Sequence, residues 1–166
     1  METGWQRINE SDENQAGDLL RQCCGSSRWV KEMLDHRPFV SLDKMITVAD
    51  EIWDSLNEED WLEAFTHHPR IGEKSLREKF ASTASWASSE QSGVDAATED
   101  ILRRLMTGND SYYNKFGYIF IVCATGKSVG EMLSILESRL SNSPADEIKT
   151  AAAEQKKIAQ IRMRKL

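Results

Sequence analysis

A chain of 166 residues is long enough for one domain with its own core. Its 40% hydrophobic and 29% charged residues describe a globular protein, and its net charge of −6 argues against a general nucleic-acid binder, which would present a basic face. No apolar run approaches the roughly 20 residues of a membrane span, so no membrane partner is expected.

Apolar residues recur at helical spacing through nearly the whole chain, and Pro38, Pro69 and Pro144 each fall at a boundary. The first predicted helix runs from about Ser11 to Cys24, with Leu19, Leu20 and Cys23 on one side and Gly25 as its stop. "SSRWVKEMLDHRP" gives a short helix capped by Ser26 or Ser27 and closed before Pro38. Ser41 is a natural cap for the next, whose stripe is Leu42, Met45, Ile46, Ala49, Ile52, Trp53 and Leu56. Asn57 opens "EEDWLEAFTHH", which Pro69 and Gly72 terminate. After a connecting stretch with a short helix at "SLREKFA", a long helix is predicted from about Ser88 to Met106, ended by Gly108 and Asn109.

"YIFIVCATG" is the most apolar run, with the β-branched and aromatic content of a strand. No second such run exists to pair with it, so a buried helix or an extended segment is expected. "SVGE" at 128–131 reads as a capping box for "GEMLSILESRL". Ser143 and Pro144 open a final helix that runs close to Arg164. The fold expected is all-α, a single-domain bundle of about seven to nine helices spanning residues 1–166.

Three features bear on chemistry. In "FTHHPRIG" two of the three histidines, His67 and His68, stand together at a helix end. Pattern alone leaves them open between a proton-transfer site and a structural ending in which His⁺ favours the helix dipole. Adjacent side chains on a helix point apart, so a metal site would need further ligands, and none is expected. On the last helix Ile148, Ala151, Gln155 and Ile158 form a stripe whose next member is Arg162. A core-facing arginine needs a carboxylate or phosphate partner, either internal or as an anion clamp. Arg139, at the edge of the Met132, Leu133, Leu136, Leu140 stripe, competes for that role but is less clearly inward. Glu90, near a helix start, is by itself uninformative.

Cys23, Cys24 and Cys123 give an odd count without metal spacing, and are read as reduced core residues. The opening "METGWQRINESDEN" has no basic stretch followed by an apolar one, so no secretory leader is expected. The terminal Arg164-Lys165-Leu166 shares only its last two letters with the peroxisomal S-K-L address. A cytoplasmic location is expected, with the peroxisome a remote second.

Taken in order, "CCGSSRW", "RPF", "WLEAFTHHPRIG", "EQSG", "KFGYIFIVCATGKS" and "AAAEQKKIAQIRM" resemble the OHCU decarboxylase (2-oxo-4-hydroxy-4-carboxy-5-ureidoimidazoline decarboxylase) family from about residue 15 to the end. The resemblance implies an all-helical, cofactor-free enzyme, usually a homodimer, that makes (S)-allantoin in the last step from urate. By motif position it implies His68, which precedes the proline, as the catalytic histidine, and Glu90 of the "EQ" pair as its glutamate. The arginine of "KIAQIR", Arg162, becomes the carboxylate clamp. Substrate-binding positions implied are Pro69, Ser88, Gln91, Ile119, Phe120 and Ile121, the last three through the "FGYIFI" backbone. One departure stands out: where family members often place serine three residues before the glutamate, this chain has Ala87, followed by Ser88 and Ser89. Without the resemblance, a non-catalytic helical adaptor would rank first. A ureide hydrolase using His68 to activate water is a third reading.

Overall fold

The computed structural model describes residues 3–68 and 92–166, the side chains of 92–98 excepted. Every regular element among them is an α-helix: α1 Gly4–Glu10, α2 Glu13–Cys23, α3 Ser27–Asp35, α4 Leu42–Ser55, α5 Glu58–Thr66, α6 Ser92–Phe116, α7 Val129–Arg139 and α8 Pro144–Arg164. The fold is all-α, as expected. None of the described helices is long and apolar enough to cross a membrane.

Short-range chemistry sets most helix starts. Ser26, Ser41, Asn57 and Ser128 each accept a backbone N–H from three residues on, and Ser143 does the same at 3.2 Å just before Pro144. Two expectations need correction, and a third, for which helix and extended segment were both open, loses its helical alternative. The N-terminal residues form a helix of their own, α1, which buries Ile8. The long helix does not stop at Gly108 but continues to Phe116. A Cβ at Gly108 would lie 2.6 Å from Leu136 Cδ2, so the glycine serves a close helix crossing rather than a helix end. "YIFIVCATG" is neither helix nor strand: residues 117–127 are irregular, bounded by Gly117 (φ 84°) and Gly126 (φ 77°).

The chain divides into two compact units, Met1–His68 with Ile148–Leu166, and Pro69–Glu147. In the first, α3 packs against α2, α4 and α5. Buried Trp29 donates its indole N–H to the Ala49 carbonyl at 3.2 Å, and Trp53 donates to the Ala152 carbonyl at 2.9 Å. The pairs Asp54–Lys156 (2.8 Å) and Asp50–Gln160 (2.8 Å) then fix α8 antiparallel to α4. In the second unit α6 packs on α7, with one guanidinium nitrogen of Arg104 donating to both carboxylate oxygens of Glu137 at 2.9 and 3.0 Å.

Candidate active site

His68 follows the last turn of α5. Buried Ala64 and Phe65 anchor that turn, and the His67 and His68 N–H groups close onto the Ala64 and Phe65 carbonyls at 3.2 Å each. The ring is half-buried, and its Nε2 is hydrogen-bonded to the Oε1 of Gln155, a fully buried residue of α8. Burial holds the His68 pKa below its ordinary value. The positive charges of Arg162 and His67 push the same way, and the Gln155 bond opposes them. The outcome is an imidazole that is neutral near pH 7.

Arg162 lies seven residues beyond Gln155 on the same helix, about 10 Å along its axis and close to the same face. It corrects the sequence reading, because its side chain is exposed; the buried stripe at the end of α8 runs through Ala159 and Met163 instead. Among the described residues Arg162 forms no ion pair, and its hydrogen bond is a long one, 3.4 Å to the Gln22 carbonyl. Its guanidinium thus has no carboxylate partner among the described residues, and it lies close enough to His68 to disfavour protonation there. The neighbouring thiols Cys23 and Cys24 are pushed up to about 12 by burial, against a small opposing effect of Arg162. They stay protonated and are not nucleophiles at neutral pH.

Gly25 has a reason that its place after α2 concealed. A Cβ there would meet His67 Cγ at 2.3 Å, so only glycine lets the histidine pair pack against the α2–α3 turn. Glu63 ties that turn to α5 by accepting from the Ser27 N–H (2.9 Å) and hydroxyl (2.7 Å), bonds that hold its pKa low.

The second unit carries the apolar segment. Ile119 and Phe120 are half-buried and Ile121 is buried. Arg139, expected at the edge of its helix, is buried and fully committed. It pairs with buried Glu147 at 2.5 Å, donates to the Ile121 carbonyl at 2.6 Å, and lies 4.7 Å from the Phe120 ring centroid. Tyr112 also donates to Glu147, and burial together with that bond raises its pKa. Arg139 is thus the anchor of the segment and not a competitor of Arg162.

Of the expected site residues, His68 and Arg162 come together in the first unit, while Ile119, Phe120 and Ile121 belong to the second. Pro69, Ser88, Glu90 and Gln91 lie outside the described residues, as does Ala87. Among the described residues no three His, Cys, Asp or Glu side chains are grouped to hold a metal ion. Gln155 and Gly25 were missed as site residues. The signal for Gln155 was a glutamine inside an apolar stripe.

A family model described as OHCU decarboxylase matches residues 9–164. The chain belongs to the OHCU decarboxylase family. It is 41% identical over 150 residues to a uric acid degradation bifunctional protein of Arabidopsis thaliana, covering 90% of this chain and 46% of that protein. A 2-oxo-4-hydroxy-4-carboxy-5-ureidoimidazoline decarboxylase of Haloferax volcanii is 26% identical over 95% of this chain and 92% of its own length. This chain therefore spans less than half of the Arabidopsis relative but nearly all of the archaeal one. A crystal structure of OHCU decarboxylase in the presence of (S)-allantoin superposes with a TM-score of 0.69 at 37% identity, over 89% of this chain and 96% of that one. An (S)-allantoin synthase structure, 16% identical, matches in fold with the same score.

Proposed function

We propose that this chain, acting as one domain and without a cofactor, decarboxylates 2-oxo-4-hydroxy-4-carboxy-5-ureidoimidazoline to (S)-allantoin in urate degradation. Family membership and the names of its relatives support the reaction. The observation that carries the chemistry is a neutral, half-buried His68 beside an Arg162 guanidinium that has no ion pair among the described residues.

The substrate bears its carboxylate and a hydroxyl on one ring carbon, next to the ring C=N. When the C–CO₂ bond breaks, its electron pair enters the ring carbon–carbon bond and the C=N electrons move onto nitrogen, which takes a proton from solvent. The substrate is its own electron sink, so no carbanion-stabilising cofactor is needed. The enol that remains becomes allantoin when the hydroxyl loses its proton and the ureido-bearing carbon gains one. Delivery of that proton to one face sets the hand of the product.

Arg162 grips the carboxylate with two parallel hydrogen bonds and turns it out of the ring plane, so that the breaking bond overlaps the C=N system. His68 takes the hydroxyl proton and returns a proton to carbon. Positioned acid–base catalysis of this kind contributes about 10²- to 10⁴-fold. Glu90, with Pro69, Ser88 and Gln91, enters through its motif position and orients His68 or the ureido N–H groups. Ile119, Phe120 and Ile121 supply backbone groups. We read the working form as a cytoplasmic homodimer, which sedimentation and localisation of a tagged chain test.

The direct test is CO₂ release from substrate generated in situ from urate. Stoichiometric CO₂ above the spontaneous rate supports decarboxylation. Substrate loss without extra CO₂ would convert the reading to ureide hydrolysis, and no acceleration would leave a helical adaptor.

A further inference from the structure

Position 155 is an unexpected place for glutamine. Its neighbours on the inner stripe of α8 are Ile148, Ala151, Ala152, Ala159 and Met163, and like the most enclosed of them it is 0% exposed. The amide carbonyl meets His68 Nε2, while the amide Nε2–H₂ finds no hydrogen-bond partner among the described residues. A buried amide with half its hydrogen bonds unmade is less stable than leucine or methionine of similar size. Core stability does not account for Gln155. Its contact with His68 does.

We propose that Gln155 is a positioning residue: its carbonyl accepts the Nε2–H of His68 and so fixes the neutral imidazole with its proton on Nε2 and its lone pair on Nδ1. A carbonyl oxygen only accepts, so the bond exists only while Nε2 carries a proton. An unheld imidazole shares its proton between both nitrogens and turns about its ring bond. Held this way it offers one basic nitrogen, Nδ1, in one orientation. A half-turn of the amide would put the donor on Nε2 and demand the opposite tautomer, so the two arrangements give opposite spectra.

The charged and titratable groups bearing on His68 are Arg162 of α8 and His67 beside it. Cys23 and Cys24, at the end of α2, stay neutral up to about 12, and Glu63 of α5 acts on His67. Apart from Gln155, none of these is hydrogen-bonded to the His68 ring among the described residues. Among the described residues, Gln155 is thus the group through which tautomer and titration can be moved together.

The experiment is a multiple-bond ¹H–¹⁵N spectrum of the histidine rings in the whole substrate-free protein above pH 7, with His68 assigned by its loss in His68→Asn. The expected result is a protonated Nε2 and an unprotonated Nδ1. The reverse tautomer, or an even mixture, overturns the proposal. Gln155→Leu is expected to mix the tautomers and lower kcat about 10- to 100-fold with KM little changed, part of what acid–base catalysis contributes. Gln155→Glu places a carboxylate against the imidazolium, so His68 titrates higher and the acid limb of kcat/KM moves up in pH. Variants that lose only thermal stability, with tautomer and acid limb unmoved, would show a merely structural residue and sink the idea. The effect on rate rests on the decarboxylase reading, but the tautomer does not. An inactive wild type with the expected spectrum would overturn that reading alone, and a wrong spectrum in an active enzyme would overturn this one alone.

Discussion

At the scale of single residues, the proposed mechanism depends on keeping His68 neutral and aimed. The unfolded imidazole takes up its proton near the ordinary value, about 6.5, and the folded one only at lower pH. Between those values the unfolded state binds more protons. The stability that His68 contributes is therefore full above about pH 6.5 and is lost as pH falls through its folded value. Chemical denaturation across pH 5–7 is expected to show this acid loss, and His68→Asn to show less of it; identical slopes would contradict the depressed pKa. Arg162→Lys keeps the charge but loses the fork, and should lower kcat/KM roughly 10- to 100-fold, about 1.4–3 kcal/mol. The histidine pair and Arg162 were legible in the sequence as candidates, because residue type and motif order single them out. That Arg162 faces solvent was not, because helical spacing assigns a residue to a face but does not show where along the helix neighbouring elements stop covering that face.

At the scale of elements, local signals and distant contacts divide the work. The caps at Ser26, Ser41, Asn57, Ser128 and Ser143 were readable because each acts within three residues. Gly25 and Gly108 both looked like helix stops, yet each is glycine because of a residue far along the chain. They should respond differently. Gly25→Ala drives a Cβ to 2.3 Å from His67 Cγ and 2.6 Å from its Cβ, the root of that side chain, and is expected to destabilise by about 1–3 kcal/mol and to displace the His68 turn. Gly108→Ala meets the end of a flexible Leu136 side chain and recovers about 1 kcal/mol of helix propensity, so it should cost less. Thermal melts of the two variants check the order. Arg139 and Glu147 are 6% and 0% exposed, so Arg139→Leu leaves a buried carboxylate and should cost about 3–5 kcal/mol. The double variant Arg139→Leu/Glu147→Leu should recover much of that; failure to recover would mean that the Ile121 carbonyl bond, not the charge pair, dominates.

At the scale of the whole molecule, a net charge of −6 opposes the anionic substrate we propose, so attraction must be local. In the proposed mechanism Arg162, which forms no ion pair among the described residues, provides it. The all-α class and the family could be read from the order of motifs spread along the chain, whereas the Gln155–His68 pairing could not, since it joins residues 87 apart. The account stands or falls on handed product. Substrate should be generated from urate with urate oxidase and hydroxyisourate hydrolase, and allantoin followed by circular dichroism with wild type and with a folded His68→Ala. The account predicts a prompt (S)-allantoin signal from wild type and only slow racemate from the variant. A flat wild-type trace, or a full signal from His68→Ala, would contradict it.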